Sequence, residues 1–196
     1  MARFRAVGSR ERDVDHFERI ACTLLEREGY WVRQSFKVVL TPKQKAALGK
    51  NMFSIPRPEI DLLALSYARE DLVAFEVKSF FDSGGVPYVH ITANHPSPEG
   101  RYKLFTCEPY RKVVLAQLRD DLIAQKLLPS TWTKPIRMGL IAGNVKKGDA
   151  SAIKTYFDQK GWEFWGPDDV KTRVTAYAAM GYENDPAVIT AKILLR

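Results

Sequence analysis

The sequence predicts an α/β fold, a mixed central β-sheet flanked by helices. Three observations predict it. Apolar residues recur at helical spacing near the N-terminus. Two apolar runs, EIDLLALS and DLVAFEVK, are separated by the short polar stretch YARE. Beyond them, helical and strand-like patterns alternate to the end of the chain. Such an order places helices on the faces of a sheet.

The first helix is expected from about Arg10 to Glu28, with Ser9 as its N-cap and Gly29 closing it. Val14, Phe17, Ala21, Leu24 and Leu25 form its apolar stripe. YWVRQSFKVVL alternates and is rich in β-branched residues, so it reads as a strand. Residues 41–57 carry two prolines and three lysines and read as an insertion. Glu59–Ser66 and Asp71–Lys78 then form a hairpin. FDSGG breaks the pattern, VPYVHIT reads as a short strand and ANHPSPEGR as a loop. These place a second insertion near 82–108.

A helix follows from about Pro109 to Leu127, with Val113, Val114, Ala116, Leu118, Leu122 and Leu127 inward. IRMGLIAG is a buried strand. DASAIKTYFDQKG is a helix closed by Gly161, and WEFWG is another strand. PDDVKTRVTAYAAMG opens with a proline and two acids, as helix starts prefer. DPAVITAKILLR is a last helix. No repeat or long linker divides the 196 residues, so 1–196 reads as one domain with two insertions.

A hydrophobic fraction of 45% and a charged fraction of 27% are ordinary for a globular protein. No window is apolar enough to span a bilayer, so no membrane partner is expected. MARFRAVGSR has charge but no apolar run behind it and does not read as a secretory signal. Two cysteines make a disulfide framework unlikely on number alone, and a cytoplasmic location is expected. No Cys or His cluster has zinc spacing. Gly84-Gly85 reads as a tight turn, although such glycines also allow a ligand close to the backbone.

The chemistry-bearing residues lie on the hairpin. Side chains alternate across a strand, so Glu76 and Lys78 share a face while Phe75 and Val77 take the other. Asp61, on the neighbouring strand, comes within reach of that face. Charges in such apolar strands need a partner or a metal, because desolvating them is costly. Hard carboxylate oxygens suit Mg²⁺ or Mn²⁺, which polarise a phosphodiester and activate water. Lys78 has two open roles: base or orienting group for water if burial lowers its pKa, or cation stabilising the transition state.

The pattern ID…EVK resembles the PD-(D/E)XK nuclease superfamily, and is nearest to restriction-endonuclease-like, Mrr-type proteins. An amphipathic helix with a Phe-Glu pair precedes it and SFFDSGGV follows it. The resemblance runs over about Val14 to Leu127. It implies a restriction-endonuclease-like core and metal-dependent hydrolysis of DNA. It also implies metal binding by Asp61, Glu76 and the Val77 carbonyl, and water activation by Lys78. Glu18, in HFERIACTLLEREGY, matches the acid of the family's first helix, which aids metal or water. Glu59 stands where the motif's proline is expected, with Pro58 beside it.

The net charge of +7 favours a polyanionic partner. Ten Lys or Arg against three acids fall between Arg101 and Lys147. Arg101, Lys103, Arg111 and Lys112 are expected to form a basic wall for nucleic acid, with aromatic residues interleaved. RNA stays open beside DNA, since nothing in the sequence reads a 2′-hydroxyl. The rival reading is a non-catalytic nucleic-acid-binding module that keeps the fold. Cutting both strands needs two sites, so a homodimer is expected, with the segment from WEFWG to the end as part of its contact or, equally, as core packing.

Overall fold

A computed structural model describes residues 15–49, 57–181 and 184–195. The first helix, α1 (His16–Arg27), is capped by Asp15, whose carboxylate accepts the Phe17 N–H at 2.9 Å. The expected cap Ser9, and the expected helical residues before Asp15, lie outside the described residues. The cap within them is Asp15: its backbone is extended and its oxygen answers the orphan N–H groups that a helix start leaves open. Phe17, Ala21, Leu24 and Leu25 are buried on one stripe as the spacing implies. Gly29 follows with a φ of 84°, the left-handed turn that ends a helix most easily at glycine.

Five strands form one mixed sheet in the order β1 (Trp31–Lys37), β2 (Glu59–Ser66), β3 (Asp71–Lys78), β4 (Ile136–Ala142), β5 (Glu163–Trp165). The β1–β2 and β2–β3 pairs are antiparallel, and β3–β4 and β4–β5 are parallel. The expected hairpin is therefore present with its expected bounds. The parallel step from β3 to β4 requires a crossover, supplied by α3 (Tyr88–Ile91), α4 (Lys103–Thr106) and α5 (Glu108–Ala124). Between β1 and β2 lies α2 (Pro42–Leu48). Thr41 caps it, exchanging bonds with Gln44 at 3.2 and 2.8 Å. The remaining helices are α6 (Ala150–Lys160), α7 (Pro167–Ala178) and α8 (Pro186–Leu194).

Two apolar cores sandwich the sheet. Val73, Phe75 and Val77 face α1, α7 and α8, meeting Leu25, Trp165, Tyr177 and Val188. Leu72 and Ala74 face the other way, meeting Val114 and Leu118 of α5 and Phe157 of α6. The alternation of β3 is what divides its side chains between the layers. It breaks at one row of β1 and β2. Phe36 and Ile60, which pair, join the α5 side, whereas Leu62, paired with Gln34, joins the α1 side. Between these pairs sit Ser35, at a φ of 51°, and Asp61. Both strands change phase together there.

The expected strand VPYVHIT forms a single bridge, Val86 to Val145, and then the helical turn α3. Pro87 has no N–H to continue a ladder. The next N–H, that of Tyr88, goes to the Asp149 carboxylate at 2.7 Å. On α5 the buried stripe is Tyr110, Val114, Leu118 and Leu122. Ala116 and Leu127 are exposed, and Leu128 is buried in place of Leu127, because the helix ends at Ala124. Among the described residues no helix is long and apolar enough to cross a membrane.

Candidate active site

The β2–β3 ladder ends at the pair Leu62 and Phe75. Asp61 and Glu76 are the next residues outward. Here a side chain replaces the main-chain acceptor: Val77 N–H donates to Asp61 Oδ2 at 2.7 Å. Lys78 Nζ then lies 3.1 Å from the same Asp61 oxygen and 3.0 Å from Glu76 Oε2. It also donates to the Val77 carbonyl at 3.0 Å. Asp61, Glu76 and Lys78 are 19%, 13% and 18% exposed, so the cluster is largely withdrawn from water. The structure brings these three residues and the Val77 carbonyl to one point.

Their environment sets their charge. Burial pushes the Glu76 carboxyl up, Lys78 opposes the rise, and Asp61 adds to it. Burial pulls the Lys78 ammonium down, but Glu76 and Asp61 outweigh it and hold it above the ordinary lysine range. Held between the two acids, Lys78 keeps its positive charge.

Glu18 comes from the first turn of α1 and is half-buried. Its carboxyl is pushed up to about 7, first by burial and next by the Asp61 charge, so it shares the field of the cluster. Phe17, its neighbour, meets Phe81 edge-on with ring centroids 5.3 Å apart, which ties the start of α1 to the loop after Lys78. That loop is fixed from β4's end. Gly143 N–H donates to the Lys78 carbonyl at 2.9 Å, and the Asn144 amide donates to the Phe80 and Ser83 carbonyls at 3.1 and 2.9 Å. A Cβ on Gly143 would come within 2.7 Å of the Ser79 carbonyl oxygen. IAGNVKKGD, which reads as a plain turn, thus supplies two positioning residues. Only the parallel register of β3 and β4 reveals them.

A cavity of about 220 Å³ opens over the acids, lined by Arg57, Glu59, Asp61, Glu76, Arg101, Lys103 and Tyr110 among others. Lys103 reaches far enough to act on the Glu76 charge. Its ammonium lies 5.4 Å from the centre of the Tyr110 ring. Burial and then the nearby Glu76 charge push the Tyr110 hydroxyl above the usual tyrosine range. Tyr110 carries no motif signal in the sequence, because it reaches the acids through the crossover. Of the four expected basic residues, Arg101 and Lys103 line the cavity and Arg111 and Lys112 do not. Arg111 donates to the Leu104 and Phe105 carbonyls at 3.1 and 3.0 Å and lies over the Trp162 ring. Lys112 pairs with Glu108 on an exposed helix face.

Among the described residues no group of three or more His, Cys, Asp or Glu side chains converges as a metal cage. The donor set is instead two carboxylates beside a main-chain carbonyl. That is the partial oxygen set a Mg²⁺ ion accepts when waters and substrate phosphate complete its shell. Searches against protein-family models, curated proteins and solved structures returned no match to this chain.

Proposed function

We propose that this chain is a divalent-metal-dependent endonuclease that hydrolyses DNA phosphodiesters, with the restriction-endonuclease-like core that its ID…EVK pattern suggests. One observation carries the reading. Asp61 and Glu76 converge on a single Lys78 ammonium, and both acids line a cavity together with Arg101 and Lys103. A protein that merely bound phosphates would have no use for two buried acids at that place, since they repel the ligand. The α1–β1–α2–β2–β3 order and the ladder ending just before the acids support the same reading.

Asp61, Glu76 and the Val77 carbonyl would hold Mg²⁺ or Mn²⁺, which when bound polarises the scissile phosphate and lowers the pKa of water. Arg101 and Lys103 bind the flanking phosphates by charge. The Lys78 ammonium, held beside both acids, would stabilise the negative charge that grows as the nucleophile adds. Glu18, whose carboxyl burial and the Asp61 charge push up to about 7, would accept a proton from water beside the cluster. Supercoiled plasmid incubated with Mg²⁺, Mn²⁺ or EDTA tests the reading. Nicking or linearisation is expected with either metal and not with EDTA, and is lost in Glu76→Ala. Cleavage that Glu76→Ala leaves undiminished overturns it.

A further inference from the structure

Beside the catalytic cavity lies a second and larger cleft, of about 560 Å³, and the two share Gly100 and Arg101. Its volume is in the range of sites that enclose a small organic ligand, roughly 300–1,000 Å³. It is too roomy for a bare phosphate and too small for stacked base pairs. Phe80 supplies an aromatic wall, the largely buried Tyr102 borders the cleft, and His90 adds a hydrogen-bonding edge. Arg101 lies over the Phe80 ring at 5.7 Å. A guanidinium so placed offers its edge to a phosphate and its flat face, with the ring, to a base. The chain direction is fixed as well. Phe80 is two residues beyond Lys78, and Tyr102 is near enough for both Lys78 and Glu76 to act on its hydroxyl. Because the two cavities share Gly100 and Arg101, whatever occupies the cleft lies next to the acids.

We infer that this cleft receives one unpaired nucleotide of a DNA substrate next to the scissile phosphate, so that the preferred substrate has a single-stranded end, flap or gap. The inference rests on the nuclease reading for its choice of nucleic acid. Stacking on aromatic faces is indifferent to base identity and strengthens binding by about tenfold per base. A duplex without an unpaired nucleotide leaves the cleft unused.

The test compares binding of one sequence as a blunt duplex and as the same duplex with a short single-stranded overhang, by fluorescence anisotropy in EDTA. The wild-type chain is expected to bind the overhang form about tenfold more tightly. Gly84 lines the cleft and a Cβ there meets nothing within 4 Å, so Gly84→Phe adds a large side chain at the cleft wall without a clash. Phe80→Leu keeps apolar volume but removes the stacking face. Both variants should bring the two affinities together. Equal wild-type affinities, or a preference that Gly84→Phe leaves intact, overturn the inference. A preference that both variants abolish, in a protein that cuts no DNA with either metal, supports the cleft and overturns only the nuclease reading.

Discussion

Asp61 holds the Val77 main-chain N–H at 2.7 Å with the same oxygen that meets Lys78. One carboxylate oxygen thus serves the sheet and the site together. Asp61→Ala leaves the Val77 N–H without its acceptor and Lys78 with only Glu76 and the Val77 carbonyl, and an unsatisfied buried donor costs about 1–3 kcal/mol. Asp61→Asn keeps an oxygen for Val77 but removes the charge. Urea unfolding should show the alanine variant clearly less stable and the asparagine variant close to wild type. Neither should cleave plasmid DNA in Mg²⁺.

Lys78 is the counter-charge to two acids at once. Lys78→Met leaves Asp61 and Glu76 facing each other without it. The variant should fold, lose cleavage, and be destabilised by about 2 kcal/mol near pH 8, less than for a fully buried broken pair. Acid should relieve the loss, because protonating a carboxyl removes the repulsion. Unfolding midpoints at pH 5 and pH 8 check this. An equal loss at both would place the repulsion elsewhere.

The Glu18 carboxyl gives a pH signature. It titrates near 7 in the fold against an ordinary value of 4.5, mainly because of burial and then Asp61. The folded chain holds this proton more tightly, so the stabilisation is fully present below about pH 4.5. It is lost as pH rises through 7. Glu18 is only half-buried, so solvent screening reduces the effect to the order of 1 kcal/mol. Urea midpoints should fall between pH 5 and 8, and Glu18→Gln should flatten that fall.

Only two of the four expected basic residues meet the cavity, and salt dependence separates the pairs. Arg101→Ala and Lys103→Ala should each lower the slope of log affinity against log salt by about 1. Lys112→Ala should leave it unchanged, because Lys112 lies on the exposed face with Glu108. Titrations of duplex DNA from low to moderate salt in EDTA measure the slopes. A Lys112→Ala slope shifted as far as that of Arg101→Ala would relocate the interface to α5.

The hairpin and its charges were legible in the sequence for a simple reason. Period-two alternation in DLVAFEVK fixes which residues share a face, and YARE leaves no other place for the turn. The cavity wall was not legible. Tyr110, Gly143 and Asn144 reach the site across the sheet or through the crossover, and no local pattern encodes that approach. Arg111 misled because a basic residue on a helix reads the same whether it faces phosphate or, as here, closes on the carbonyls of α4. Ser9 is expected as the cap because of its residue type, but Asp15 is as good a capping type and is the cap found within the described residues. VPYVHIT has strand-like composition, but the proline within it ends pairing after one residue.

The shared phase change at Ser35 and Asp61 has a mechanical meaning. A strand that shifts phase alone would turn its apolar residues out into water. Because β1 and β2 shift in step, Phe36 and Ile60 stay packed in one layer and Leu62 in the other, and the row where they cross over belongs to neither core. Asp61 stands in that row, with Ile60 anchored in one layer and Leu62 in the other. The acid is therefore hung between two independent walls, like a rung between rails. Repacking either layer, even by substitutions far from the cavity, moves one anchor relative to the other and changes the spacing on which Asp61, Glu76 and Lys78 depend.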